Sequence, residues 1–175
     1  DVSGQPASHT LCLMSQQTHT DPGQVSVERF IPARADAIFD ILANPDRHTE
    51  IDGSGTIRQA RSSRGERRLK LGDSFGMDMN WGVSYATRNV VTEFEENRRI
   101  AWRTLAPAPL DRLFTGRTWR YELEPHEGGT IVRETWDTTT EAWPARLAVR
   151  RLSDLTRRNM TRTLERIEDV VTAQD

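Results

Sequence analysis

Cysteine, lysine and long apolar runs are what this chain has least of. Cys12 is the only cysteine, so no intrachain disulfide can form and no zinc site of the CxxC type is available. Lys70 is the only lysine among 24 basic residues, an arginine bias of the kind that GC-rich bacterial genomes impose. No apolar stretch approaches the ~20 residues that span a bilayer, so stable membrane insertion is not expected. The one early apolar run, Leu11–Met14, is too short for a signal-peptide core and lacks a basic flank, and with no intrachain disulfide cytoplasmic residence is the simplest expectation. The net charge of −2 argues against a surface built for polyanions, and nucleic acid is not expected as a partner.

What is present fits one globular domain, residues 24–175, behind a polar tail, residues 1–23. The tail lacks periodicity and ends in the breakers Asp21-Pro22-Gly23, so it is expected to be disordered; Met14 is a candidate natural start. His9 and His19 read as solvated tail histidines. From Gln24 the pattern changes: Val25, Val27 and Arg29-Phe30-Ile31 form a short alternating strand stopped by Pro32. Ile38, Phe39, Ile41 and Leu42 then share one side of a helix that Asn44-Pro45 ends, because proline disfavours helical geometry in the residue before it. Asp46–Ile51 could form a further helical turn.

Strand-like segments follow at 56–62, 74–81, 84–94, 99–105, 117–124 and 130–139, joined by turns such as Glu95-Glu96-Asn97 and Glu127-Gly128-Gly129. Residues 61–68 read as an exposed hairpin tip and 106–113 as a loop. The last segment, 141–173, changes period: Ala148, Leu152, Leu155, Met160, Leu164, Ile167 and Val171 recur at steps near three and four, as in one long amphipathic helix. A meander of strands must cover its apolar face, and only the terminal helix is long enough to do so. The expectation is an α+β helix-grip fold: a curved antiparallel sheet of about seven strands around a long C-terminal helix, with two short helices after strand one.

That order, with IPARADAIFDILANPDRHTEIDGSG at 31–55, resembles the SRPBCC superfamily: lipid-transfer, birch-pollen-allergen-like and bacterial polyketide cyclase/dehydrase-like proteins. Leu71-Gly72-Asp73-Ser74-Phe75, Arg99-Ile100-Ala101-Trp102 and Gly129-Thr130 extend the resemblance over about 25–171. It implies a cavity between sheet and helix for a small apolar ligand. It does not choose among carriers, cyclases and chaperone-activator-like interaction modules. No iron-ligand, Rieske or other cofactor motif is present, and neither a metal nor a cofactor is expected; a monomer or a homodimer would both suit the fold.

Candidate ligand contacts follow from alternation. Phe75, Met77, Met79 and Trp81 share a face that serves equally as core or as cavity lining, methionine being adaptable to irregular ligands. Trp102, Trp119, Tyr121 and Trp136 stand on neighbouring strands, with polar tips that need partners when buried. Asn159 and Thr163 flank the apolar stripe of the long helix. Glu134 lies between Val132 and Trp136 at period two, so it points where they point. A carboxyl in an apolar surround would have a raised pKa and could serve as the acid/base of an enzyme. A bulge in the strand, or a partner such as Arg120 or Arg103, would remove that role. His48 and Asp52 invite a catalytic reading, but with no nucleophile placed by a motif they read as a hydrogen-bonded cap on their connection; Ser54 lacks the strand and helix of a nucleophile elbow. The arginines of the long helix, interrupted by Asp154, Glu165, Glu168 and Asp169, read as a solvated face.

Overall fold

The computed structural model describes residues 23–61, 68–106 and 116–173. The expected tail (apart from Gly23), the hairpin tip at 62–67 and the loop at 107–113 lie outside these residues. Seven strands run β1 (Gln24–Ile31), β2 (Ile57–Arg61), β3 (Ser74–Asn80), β4 (Ser84–Glu95), β5 (Arg99–Leu105), β6 (Arg117–His126) and β7 (Gly129–Asp137). They form one antiparallel sheet in the order β1-β7-β6-β5-β4-β3-β2. Strands β2 to β7 pair in sequence, and β1 closes the far edge against β7. Just before β1, the Gly23 carbonyl accepts from both the backbone N–H and the hydroxyl of Thr138, each at 2.8 Å.

Between β1 and β2 lie α1 (Ala35–Leu42), a single 3-10 turn (Pro45–Arg47) and α2 (His48–Ile51). The helix α1 forms because Ile38, Phe39, Ile41 and Leu42 fall on one side, and all four are buried. It stops where Asn44 turns to an extended conformation before Pro45, and the Asn44 side chain then caps the next turn by accepting from Asp46 N.

The C-terminal segment departs from the single helix read from its periodicity. It divides into α3 (Trp143–Arg150) and α4 (Ser153–Thr172). At the break, Ser153 Oγ donates to the Arg150 carbonyl at 2.6 Å, the local side-chain competition that unsettles helices at serine. The break also splits the expected stripe. Met160, Leu164, Ile167 and Val171 are buried on the sheet, whereas Ala148 and Leu155 are exposed and Leu152 is half-buried. Helix α4 crosses β1 and is tied to it by the Arg29–Glu168 ion pair. No helix among the described residues is long and apolar enough to cross a membrane.

A close approach fixes α4 against the first connection. Gly53 donates its N–H to Thr163 Oγ1 at 3.1 Å, and Arg166 donates to the Asp52 carbonyl. A Cβ on Gly53 would lie 2.2 Å from the Asn159 carbonyl oxygen, so only glycine lets the backbones meet here.

Candidate functional site

Alternation along the strands places three rows of side chains on the face that α4 covers. Register pairs Tyr121 with Glu134 in the first row. Trp102, Trp119 and Trp136 are opposite one another in the second. Asn89, Thr104 and Arg117 make the third. Met77 and Met79 of β3 pair with Thr87 and Tyr85 of β4 and continue the surface. With α2, the connection after it and α4, these rows enclose a cavity of about 240 Å³. Its walls include Met77, Met79, Trp81, Trp102, Trp119, Tyr121, Trp136, Asn159 and Thr163. Of the expected contacts, only Phe75 is not on the wall: it packs edge-on against His48 and Trp102, which are. Trp81 stands at the cavity mouth, 63% exposed, beyond the end of β3.

The aromatic floor consists of two groups of rings in contact. His48 stacks on Trp102 at 5.1 Å between centroids, and Trp102 stacks on Tyr121 at 5.5 Å. Trp119 and Trp136 tilt together at 6.2 Å. Such contacts stabilise the wall beyond simple burial and present flat surfaces to a ligand.

Glu134 is 2% exposed within this floor. Strand β7 carries no bulge against either neighbour, so the period-two reading holds at this position. Neither arginine considered as a partner reaches it. Arg120 forms a bidentate pair with Glu93, and Arg103 donates weakly to the Thr140 carbonyl. The carboxyl is held by Tyr121, whose hydroxyl donates to Oε1 at 2.8 Å, while Oε2 has no hydrogen-bond partner. Burial, aided by the negative charge of Asp52, raises the Glu134 pKa to about 8 against the opposing pull of the Tyr121 bond. Burial and the nearby Glu134 likewise hold the Tyr121 hydroxyl well above its ordinary pKa, so it stays a donor. At neutral pH the arrangement is a protonated carboxyl with its free oxygen among aromatic rings.

Two further buried polar atoms on the same wall lack partners: Trp136 Nε1 and Asn89 Nδ2. Asn89 Oδ1 is occupied, accepting from the Thr104 hydroxyl at 2.7 Å. His48 and Asp52 play the capping part expected of them and also face the cavity. The His48 Nε2 stands 2.9 Å from the Leu42 carbonyl, which requires that nitrogen to carry the hydrogen. Burial lowers the ring's pKa to about 4, so it is neutral. Asp52 accepts from Ser54 N, Ser54 Oγ and Ile57 N and so fixes the path into β2. Sequence reasoning missed Asn89, Thr104 and Arg117 as wall residues. Thr104 and Arg117 alternate in phase with the tryptophans on their strands, and Asn89 with Tyr85 and Thr87 on β4; that phase was the available signal.

The model of the family described as polyketide cyclase / dehydrase and lipid transport matches residues 22–172. The chain belongs to this family. The superfamily resemblance seen in the sequence holds, and both halves of the family's description call for a hydrophobic molecule held in the fold. A relative from Mycobacterium tuberculosis, the uncharacterized protein Rv0088, is 35% identical over 118 residues, 66% of this chain and 48% of that protein. A second from the same species, MT0096, is 34% identical over the same length. The chain therefore spans about half the length of the curated relatives it matches. Among solved structures, protein Ms6760 of Mycobacterium smegmatis superposes with a TM-score of 0.67 at 17% identity, covering 91% of this chain and 98% of that one. DynU16, from the dynemicin biosynthetic locus, gives 0.60 at 12% identity, covering 89% of this chain and 49% of that one. At such identities the likeness is one of fold.

Proposed function

We propose that the protein binds a small hydrophobic or aromatic molecule between the sheet and α4. The observation that carries this reading is the cavity itself: aromatic and methionine walls with a few buried polar atoms left unpaired, the composition of a ligand site rather than of a dry core. An interaction module of the chaperone-activator kind would need an open apolar groove, whereas here the floor residues Trp102, Tyr121 and Trp136 are buried. Native mass spectrometry of protein purified from its own host tests the proposal, since a retained molecule adds its mass. Absence of any adduct, together with no binding of hydrophobic probes at high micromolar concentration, would refute it.

A second reading makes the protein a cyclase- or dehydrase-like enzyme, and the unpartnered Oε2 of Glu134 is the specific observation that favours it. A carboxyl with a pKa of about 8 gives a proton to a ligand carbonyl or hydroxyl oxygen, and the resulting carboxylate takes one from a carbon flanked by carbonyls. Tyr121 would hold the group in place throughout. Glu134→Gln separates the readings: an enzyme would lose turnover but keep its ligand, whereas a carrier would change only modestly in affinity.

A further inference from the structure

Resting on the reading of the cavity as a ligand site, we infer that its ligand is an uncharged, elongated aromatic or polycyclic molecule with hydrogen-bond-accepting oxygens towards both ends, and not a fatty acid. Three polar atoms on the wall are unsatisfied, Glu134 Oε2, Trp136 Nε1 and Asn89 Nδ2, and their residues are buried. The nitrogens are N–H donors, and the carboxyl oxygen donates while it carries its proton. A purely hydrocarbon ligand would leave all three unpaired, which costs affinity because buried donors without acceptors have lost their water for nothing.

The positions of the donors set the shape. Glu134 lies in the row of Tyr121, and Asn89 lies in the row of Thr104 and Arg117. Along β6, Tyr121 and Arg117 are four residues apart, about 13 Å of strand, and Glu134 and Asn89 also stand three strands apart, about 14 Å across the sheet. The three tryptophans fill the row between, so the middle of the ligand meets flat aromatic surface and, from Trp136, one N–H.

The charges on the wall favour a neutral ligand over a carboxylate. Its ionisable side chains among the described residues are His48 and Asp52 around α2, Tyr85 from β4, Arg117 and Tyr121 from β6, and Glu134 from β7; α4 contributes none. His48 is neutral. Arg117 is the single cation, and it faces the buried Glu141 at 3.9 Å. An incoming carboxylate would meet the negative charge of Asp52, the protonated Glu134 offers it no counter-charge, and the one cation of the wall already faces Glu141, so a neutral ligand is favoured.

A stilbene series reads this out through tryptophan fluorescence. Because each net hydrogen bond is worth several-fold in affinity, 4,4′-dihydroxystilbene should bind about tenfold or more tighter than stilbene, with 4-hydroxystilbene between them. Dodecanoate should bind more weakly than the diphenol. Asn89→Leu and Glu134→Leu should each reduce the ratio of diphenol to stilbene affinity several-fold. The inference is overturned if stilbene matches the diphenol, if one hydroxyl does as much as two, or if dodecanoate binds tightest; in those cases the cavity reading survives. If no probe binds, both fail. The wild-type series decides even if a variant does not fold.

Discussion

Tyr121 and Glu134 face each other across β6 and β7, the phenol hydroxyl 2.8 Å from the carboxyl, and no cation among the described residues joins them. The residue next to Tyr121, Arg120, points to the other face of the sheet and is engaged by Glu93, which is why the arginine expected near Glu134 is absent. A carboxyl whose only partner is a neutral hydroxyl keeps its proton, and several consequences can be measured.

Stability should depend on pH through Glu134 and His48 together. Between about 4.5 and 6.5 the unfolded chain carries its extra proton on His48 and the folded protein carries one on Glu134, so the two contributions cancel. From about 6.5 to about 8 only the folded Glu134 holds a proton, and unfolding should become easier by roughly 2 kcal/mol. Glu134→Gln should abolish that decline. Below pH 6.5 the variant should instead gain stability as pH rises, because His48 then acts alone. Urea titrations at pH 5, 6.5 and 8 measure both; a wild-type protein as stable at pH 8 as at 6.5 would contradict the burial of the carboxyl proton.

Leu164→Arg should destabilise the fold by several kcal/mol, because the side chain is 1% exposed in the seam between α4 and the sheet and the new charge would have no partner. Leu155, on the same helix but 39% exposed, should accept arginine with little change in melting temperature. Equal effects at the two positions in a thermal melt would mean that α4 is docked on another face.

Gly53→Ala should be costly for so small a change. Its methyl would meet the Asn159 carbonyl at 2.2 Å and the Thr163 nitrogen at 2.5 Å, both helix backbone, so α4 must move away. A loss of about 1–3 kcal/mol is expected from such overpacking, read as a lowered denaturation midpoint. An unchanged midpoint would show that this connection does not touch the helix.

Trp81→Ala should leave the melting temperature within a degree or two, since the ring is largely exposed, yet weaken binding of a hydrophobic probe several-fold. Titration with such a probe checks this. Unchanged affinity would place the entrance elsewhere.

Much of this was legible because strand alternation is a local property. The pattern Phe75, Met77, Met79 and the phase of Val132, Glu134 and Trp136 depend only on a two-residue period, and both follow the sheet as built. The continuity of the C-terminal helix was not legible, because a few residues around Ser153 interrupt an apolar period that runs on unchanged through them. The exposure of Leu155 was legible and overlooked: nine residues at about 100° each set it on the opposite side of the helix from Leu164.

The sequence alone set Glu134 in phase with Val132 and Trp136, so that it points inward wherever the strand carries no bulge. The tertiary structure decided what it would meet there. The turn read as Glu127-Gly128-Gly129 left the register between the last two strands open; the observed two-residue turn, Glu127-Gly128, sets Tyr121 opposite Glu134. His48 and Asp52 reach the same cavity from a connection some eighty residues earlier, and α4 covers it only because Gly53 lets two backbones touch. Such meetings depend on how distant segments pack, and no local period encodes them.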